Sequence, residues 1–288
     1  MKPPPFEYLV ADSVEAAVAA LAQAGGDAKI IAGGQSLVPM LNFRLLRPSI
    51  LVDINRIPDL AYVREDGDVI RIGALTRHHQ LETSPVIAAH FPVLTEAMTH
   101  VAHLAIRNRG TIGGSLSHAD PAAELPMMAL LLDAELRIVS AAGARTVAAR
   151  DFFLDALSVD LAEDEIVTEI VVRKLPSDTG WGFAEVARRS GDFALAAVAV
   201  TLTLSEGTIA QACIAMTGVA PTARRVTEAE TLLIGQRLGD GVGDDDVIDA
   251  VRAAAEPPSD LHASADYRRH LVGVLAGRAL AAAWSRAA

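Results

Sequence analysis

The sequence predicts a mixed α+β protein, and three features of its pattern carry that prediction. Up to Asp133, short apolar runs typical of strands alternate with stretches of helical period, as in an α/β arrangement. From Ala134 onward, strand-like runs divided by turn signals dominate. The chain then returns to helical periodicity near its end. Segregated α/β and β-rich parts of this kind are typical of the α+β class.

The first helices and strands are predicted from apolar runs and from the capping and turn residues that bound them. A strand-like "EYLV" leads into a helix for which Ser13 or Asp12 provides the N-cap, and Gly25 and Gly26 end that helix. "AKIIAGG", "SILVDINRI" and "DVIRIGALT" read as strands. From Thr76 to about Ala105 the pattern is helical, and "PAAELPMMALLLDA" forms another helix.

After Ala134 the strand-like runs indicate a largely antiparallel sheet, and three helices close the chain. The last helix, Ala265 to Trp284, has an apolar face that could pack on this chain's own core or on another subunit. Pro and Gly cluster near residues 55–58 and 174–180. We therefore expect three units, residues 1–57, 58–177 and 178–288.

Composition excludes several classes of protein. The net charge is −11 and the chain has only three lysines, so it lacks the basic stripe that nucleic-acid backbones require. Cys213 is the single cysteine, which rules out an internal disulfide and a cysteine-ligated iron–sulfur cluster. The N-terminal residues lack a secretory pattern, and no apolar run has the length of a membrane span. We expect a cytoplasmic protein without a transmembrane segment.

Two glycine-rich turns stand out, "IIAGGQSLVPMLNFRLLRP" and "IRNRGTIGGSLSHADPAAELP". Backbone N–H groups in such turns can converge on an anion, and hydroxyls beside them, as on Ser36, Thr111 and Ser115, are typical of phosphate cradles. The alternative is that both are plain turns. Neither turn matches a P-loop, a dinucleotide G-x-G-x-x-G or the G-x-S-x-G of a hydrolase.

Other residues that could carry chemistry are less distinctive. His100, His103 and His118 do not match a metal-binding motif, so no metal site is predicted. Arg107 and Arg109, just before the second turn, could contact phosphate or could pair with acidic neighbours.

The two turns together, with "DEIVTEIVV", "RRSGDFALAAVAV" and "TGVAPTARRV" in the same order, resemble the FAD-binding medium subunit of molybdenum hydroxylases, the carbon monoxide dehydrogenase and xanthine dehydrogenase flavoprotein family. The resemblance runs along the whole chain. It implies a two-lobed FAD-binding fold of the vanillyl-alcohol-oxidase/PCMH type, followed by a C-terminal antiparallel sheet with helices.

The resemblance also implies a set of residues that hold FAD without a covalent bond. Ala32 to Ser36 and Thr111 to Gly114 would grip the pyrophosphate, while Glu124 would contact a hydroxyl of the flavin nucleotide. The full set is Ile31, Ala32, Gly33, Gly34, Gln35, Ser36, Leu37, Ile106, Thr111, Ile112, Gly113, Gly114, Ser115, Glu124, Ile166 and Phe193. Gln35, Glu124 and Phe193 depart from the histidine, aspartate and tyrosine common in relatives.

The function implied is electron transfer, with no catalytic acid or base in this chain. Electrons would pass from a molybdenum cofactor on a large subunit, through [2Fe–2S] clusters on a small subunit, to FAD here and then to an external acceptor. The complex would be a dimer of heterotrimers. The alternatives are a stand-alone FAD oxidoreductase and a binding or assembly protein that has lost the cofactor.

Overall fold

The structure, a computed structural model, describes residues 2–237 and 245–287. Residues 1, 238–244 and 288, which belong to the first and third expected units, lie outside that description. Within the described ranges, none of the helices has the length and apolar character that a membrane span requires.

The first part of the chain folds as a parallel βαβ arrangement. Its elements are β1 (Glu7–Val10), α1 (Val14–Ala24), β2 (Ala28–Ile31), α2 (Leu37–Asn42) and β3 (Ile50–Asp53). The strand order is β1-β3-β2, with both pairs parallel. Ser13 caps α1 by accepting a hydrogen bond from Ala16 N, and Gly25 ends the helix in the left-handed conformation, as predicted.

The middle part of the chain contains a five-stranded antiparallel sheet and a group of helices. Its elements are a 3₁₀ turn (Pro58–Leu60), β4 (Val63–Asp66), β5 (Val69–Gly73), α3 (His78–Thr83), α4 (Pro85–His90), α5 (Pro92–His100), α6 (Leu104–Arg107), α7 (Ile112–His118), α8 (Glu124–Leu131), β6 (Glu135–Ser140), β7 (Gly143–Ala148), α9 (Ala149–Phe152), β8 (Phe153–Asp155), β9 (Ser158–Val159) and β10 (Ile166–Arg173). The sheet order is β4-β5-β10-β6-β7.

Two details of this middle part differ from the sequence reading. The helical pattern from Thr76 to Ala105 forms four short helices. Pro85 and Pro92 occupy first-turn positions, where proline starts a helix but cannot continue one, and the left-handed Ala102, with φ of 46°, separates α5 from α6. The strand-rich region after Ala134 also does not form a single sheet. Strands β6, β7 and β10 join β4 and β5, and the chain then leaves this sheet through the Pro-containing segment 174–180.

The last part of the chain is a second antiparallel sheet covered by helices. Its elements are β11 (Gly180–Ala187), β12 (Ala194–Ser205), β13 (Thr208–Thr217), β14 (Arg224–Arg225), α10 (Thr227–Leu233), α11 (Asp245–Ala253) and α12 (Ala265–Ala287). The central strand β12 is buried on both faces. Ala197 and Ala199 pack into the core around the middle sheet, whereas Val198 and Val200 pack towards α12. Helix α12 therefore covers this chain's own core.

Helix α12 lies so close to β11 that there is no room for side chains between them. A β-carbon on Gly180 or Gly182 would overlap the carbonyl oxygen of Ala283 or Ala279. Alanines on the helix and glycines on the strand allow this approach, in which backbone contacts backbone.

We expect Gly182→Ala to destabilise the protein by about 2–3 kcal/mol, because the added methyl overpacks a contact that neither backbone can relax. Urea unfolding measures the loss. The control is Gly277→Ala in α12, where a β-carbon would lie 3.7 Å from Ile248 Cδ1. That change should leave stability unchanged or raise it by up to about 1 kcal/mol through helix propensity. Equal effects of the two changes would contradict the packing argument.

Candidate functional site

The candidate site begins where two parallel strands end side by side. Ile31, the last residue of β2, pairs with Asp53, the last residue of β3. The first glycine turn and the segment Asp53–Asn55 therefore leave the same edge of the sheet. Partial burial of Asp53 opposes its ionisation, yet hydrogen bonds from Tyr8 and Asn55 outweigh it and lower the pKa of the carboxyl. The sequence analysis missed Tyr8, Asp53 and Asn55, although position at the end of β3 was an available signal for Asp53 and Asn55.

The two glycines of the first turn serve different purposes. Gly34 has φ of 70°, a left-handed conformation that glycine adopts without strain. Gly33 is required because a side chain at this position would overlap the backbone of Arg109. The N–H groups of residues 33–36 have no hydrogen-bond acceptor anywhere in the described chain, while the Gln35 side chain donates to Gly33 O at 2.9 Å. Four adjacent free donors are suited to bind an anion.

The first turn lies directly against the segment that leads into the second. A β-carbon on Gly33 would overlap Arg109 O and would lie 2.9 Å from Gly110 Cα. Two side chains hold this contact together. Arg77 donates to Arg109 O and, at 2.7 Å, to Asn55 Oδ1, and Asn55 Nδ2 donates to Ala32 O at 2.8 Å. The two glycine motifs thus lie against each other.

An open pocket of about 350 Å³ lies at this junction. Its walls combine strand ends, the first glycine turn, the start of α2 and one residue from the second motif. The lining residues are Tyr8, Ile31, Ala32, Gly33, Gly34, Gln35, Val38, Pro39, Asp53, Asn55 and Arg109.

The second glycine motif forms the start of helix α7. The Thr111 hydroxyl caps this helix by accepting from Gly114 N at 3.2 Å. Ile112 N donates to Thr76 O at 3.1 Å and Gly113 N donates to Ala74 O at 2.9 Å. Gly113 packs tightly, since a β-carbon there would lie 2.6 Å from Ala74 Cβ. In contrast to the first turn, these N–H groups already have acceptors, and Gly114 is the exposed member of the motif.

His78 holds the second motif from beneath. Its backbone N–H donates to Gly110 O at 2.9 Å, and its Nε2 lies 3.0 Å from Thr111 O, a contact in which the ring nitrogen donates. The other ring nitrogen, Nδ1, is buried without a partner among the described residues. Burial lowers the pKa of His78 to about 4, although the bond to Thr111 opposes this. The ring is therefore neutral at pH 7.

The structure resolves the two roles that the sequence left open for the arginines. Arg107 pairs with Glu82 at 2.9 Å and donates to the carbonyls of Val101 and Ala102, so it stabilises the fold. Arg109 lines the pocket, and its side chain has no carboxylate partner within residues 2–237 and 245–287.

The remaining predicted site residues lie around this junction or away from it. Ser36 and Leu37 start α2, Ile106 is in α6, and Ser115 is half-buried in α7. Ile166 begins β10 and is buried against the core of the first part of the chain. Glu124 begins α8, and Phe193 precedes β12 with 62% of its surface exposed. None of the last three lines the pocket at the first turn.

Glu124 belongs to a second polar group, between α8, α5 and β11. Burial raises the pKa of Glu124 to about 7, with a smaller contribution from Asp120. Burial and the nearby Glu124 raise the pKa of Glu185 to about 8. Glu185 Oε1 lies 3.8 Å from His100 Nδ1, and its Oε2 has no partner in the described residues. Sequence reading missed Glu185, which follows Trp181 and Phe183 on the inward face of β11.

These features suit a protein that binds an anionic group through backbone N–H groups. A hydrogen bond to a charged group contributes about 1.5–3 kcal/mol, so the four free donors supply roughly 6–12 kcal/mol. Association costs about 4–15 kcal/mol. The first turn alone is therefore marginal, and burial of an apolar ring and the Arg109 charge have to contribute.

Comparison with known proteins identifies the family of this chain and its cofactor. Residues 4–174 match the family model for the FAD-binding domain in molybdopterin dehydrogenase, and residues 181–283 match the C-terminal domain of the CO dehydrogenase flavoprotein. The chain belongs to the family of FAD-binding medium subunits of molybdenum hydroxylases.

Relatives match over the full length. The chain is 47% identical to 6-hydroxypseudooxynicotine dehydrogenase complex subunit alpha of Paenarthrobacter nicotinovorans, over 100% of this chain and 97% of that protein. It is 41% identical to the carbon monoxide dehydrogenase medium chain of Hydrogenophaga pseudoflava, over 100% of both chains. A solved structure of that dehydrogenase, lacking the Mo-pyranopterin moiety, superposes with a TM-score of 0.97 over 100% of both chains at 42% identity.

We expect acid to destabilise the protein through His78. The unfolded histidine takes up a proton below its ordinary pKa of 6.5, whereas the folded one does so only near 4. The contribution of His78 to the free energy of unfolding is therefore complete above pH 6.5. The free energy of unfolding falls by roughly 3 kcal/mol as the pH drops towards 4. His78→Gln, whose amide can still donate to Thr111 O, should lack this part of the pH dependence. Urea unfolding at pH 4, 5, 6 and 7 tests it, and His270→Gln, at an exposed position of α12, should behave like the wild type.

We expect Glu185 to make the free energy of unfolding fall as the pH rises, which is the opposite of the effect of His78. The folded carboxyl keeps its proton up to about pH 8, whereas the unfolded one releases it near 4.5. The free energy of unfolding therefore decreases as the pH rises from 4.5 to about 8. Glu185→Gln should be more stable than the wild type at pH 8, by on the order of 3 kcal/mol, and nearly equal to it at pH 4.5. Glu135→Gln on the exposed side of β6 serves as the control. A Glu185→Gln variant less stable at pH 8 would contradict a buried, unpaired acid.

Proposed function

We propose that this chain holds FAD non-covalently across the junction of the two glycine motifs. The observation that carries the proposal is the contact between Gly33 and Arg109–Gly110, beside four N–H groups that lack acceptors. The pyrophosphate would lie on residues 32–36 and against Arg109. Thr111 to Gly114 would contribute chiefly through Gly114, whose long bond to Thr111 Oγ1 is the easiest to exchange for a phosphate oxygen.

FAD supplies the electron-carrying chemistry when bound, and the chain's residues bind and orient it. Ile31, Leu37 and Ile106 would provide apolar surface. The side chains of Ile112 and Ile166 are buried in the core, and Ile166 would approach the flavin ring by its main chain. Glu124 would face a hydroxyl of the flavin nucleotide, and Phe193 would lie near the ring. At neutral pH, a protonated Glu124 could donate that hydrogen bond, because its pKa is raised to about 7.

The chain's partners are proposed from its family. Electrons would come from [2Fe–2S] clusters on a small subunit, which receive them from a molybdenum cofactor on a large subunit, and would leave to an external acceptor. We place the complex in the cytoplasm as a dimer of heterotrimers. Residues 1–57 and 58–177 would act as the two FAD-binding lobes and 178–288 as a third unit.

The test is FAD uptake by the purified chain, followed by visible absorption with FMN as the competing cofactor. We expect FAD to bind more tightly than FMN, which has no pyrophosphate. Gly34→Asp should reduce FAD affinity at least tenfold, because it places a negative charge where phosphate is expected and strains a left-handed residue.

The matched control is Gly207→Asp, in the turn between β12 and β13. Gly207 has φ of 75° and open space around it, so this change causes similar backbone strain far from the site. FAD affinity should be unchanged there. Equal loss in both variants would attribute the effect to stability, and unchanged binding in Gly34→Asp would overturn the placement of the pyrophosphate.

A further inference from the structure

Glu185 is a buried carboxylic acid with an unsatisfied oxygen. Its side chain is 3% exposed, and its Oε2 has no hydrogen-bond partner among residues 2–237 and 245–287. Its Oε1 lies 3.8 Å from His100 Nδ1, which is beyond hydrogen-bond distance. Buried polar groups in proteins are almost always satisfied, so an acid held in this state needs an explanation.

The register of the C-terminal sheet places Glu185 near the first residue of α8. Glu185 pairs with Ala197, and Ala197 pairs with Thr217, so these three residues form one row on the same face of the sheet. At the end of this row, the Thr217 hydroxyl donates to Ala123 O at 3.1 Å, and Ala123 directly precedes Glu124. The start of α8 is therefore fixed over the row, in which the residue beside Glu185 is small.

The groups around the two acids do not supply a positive charge. Burial raises the pKa of both acids, and Asp120 adds to this effect for Glu124, as Glu124 does for Glu185. On α5, burial lowers the pKa of His100 against the field of Glu96, so the ring is neutral at pH 7. In the part of the chain that the structure describes, neither acid forms an ion pair with lysine or arginine.

Two neighbouring acids of this kind release their protons one after the other, because the first negative charge holds back the second proton. The pKa is raised to about 7 for Glu124 and to about 8 for Glu185. Between these values the pair holds one proton, which can lie on either carboxyl. A ligand that accepts a hydrogen bond from Glu124 draws the proton there and leaves the negative charge on Glu185.

We propose that Glu185 is a positioning residue that keeps a proton available to Glu124, so that Glu124 donates a hydrogen bond to a hydroxyl oxygen of the flavin nucleotide. The proton passes from one carboxyl to the other and the negative charge moves in the opposite direction, so the net charge of the pair does not change. This inference rests on the proposed function, in which Glu124 faces the nucleotide.

The test is the pH dependence of FAD affinity, followed by flavin fluorescence with the purified chain between pH 6 and pH 9. Wild-type affinity should hold up to about pH 8 and then fall, because a fully ionised pair cannot donate. In Glu185→Gln the fall should begin near pH 7, where Glu124 alone loses its proton. At pH 8 the variant should bind FAD about fivefold more weakly than the wild type, and at pH 6 equally well.

Stability separates this role from a merely structural one. Glu185→Gln is expected to be the more stable protein at pH 8, so weaker binding by this variant cannot come from a loss of fold. Glu124→Gln, whose amide donates at every pH, should bind FAD with an affinity that does not change between pH 6 and pH 9. Adding Glu185→Gln to it should have no further effect. Glu135→Gln, on the exposed side of β6, should keep the wild-type profile.

Calorimetry of FAD binding at pH 8, in Hepes and in Tris, counts the protons that are taken up. The wild type should take up part of a proton, because binding returns the ionised pair to its single-proton state, and Glu124→Gln should take up none. An equal pH midpoint in the wild type and in Glu185→Gln, or a wild-type affinity that is independent of pH, would overturn the proposal. A wild-type chain that binds no FAD at any pH would instead refute the proposed function.

Discussion

The site depends on one backbone contact, that of Gly33 with Arg109 and Gly110. With no side chain between them, the two segments approach as closely as peptide groups allow, so any β-carbon at Gly33 would force them apart. Arg77 and Asn55 fix the contact by donating to carbonyl groups on both sides of it. The first parallel sheet therefore meets the middle part of the chain through its carboxyl edge, and the pocket forms at that edge.

The elements that depend on local pattern could be predicted from the sequence, and those that depend on packing could not. Apolar runs bounded by turn signals located β12 and β13, and capping residues located both ends of α1. The two glycines show the limit of such reasoning. Gly34 is explained by its own φ, which is local, whereas Gly33 is explained by residues more than seventy positions away. In the same way, no local signal distinguishes Arg107, which meets Glu82, from Arg109, which lines the pocket.

The most strongly perturbed buried groups lie where parts of the chain meet. His78 lies under the second glycine motif, and Glu124 and Glu185 lie between α8 and β11. In the folded state each of these side chains favours its neutral form, because burial in a low dielectric disfavours charge. Near neutral pH His78 is neutral, Glu185 is mostly protonated and Glu124 is protonated in part, so these contacts carry little unpaired charge. The three groups therefore explain how polar residues can lie at the contacts without opening them.

An acidic chain that binds an anionic cofactor needs a region of low negative charge around the binding site. At physiological salt, charges separated by more than about 8 Å are largely screened, so the residues next to the pocket matter more than the total. Asp53 is the single carboxylate among the lining residues, and Arg109 is the single guanidinium. Their charges oppose each other, and the acid-free stretch between Asp27 and Asp53 adds no further repulsion. In the proposed site, affinity for phosphate would come from backbone N–H groups, which carry no net charge, together with Arg109 and a buried apolar ring, so no lysine is required.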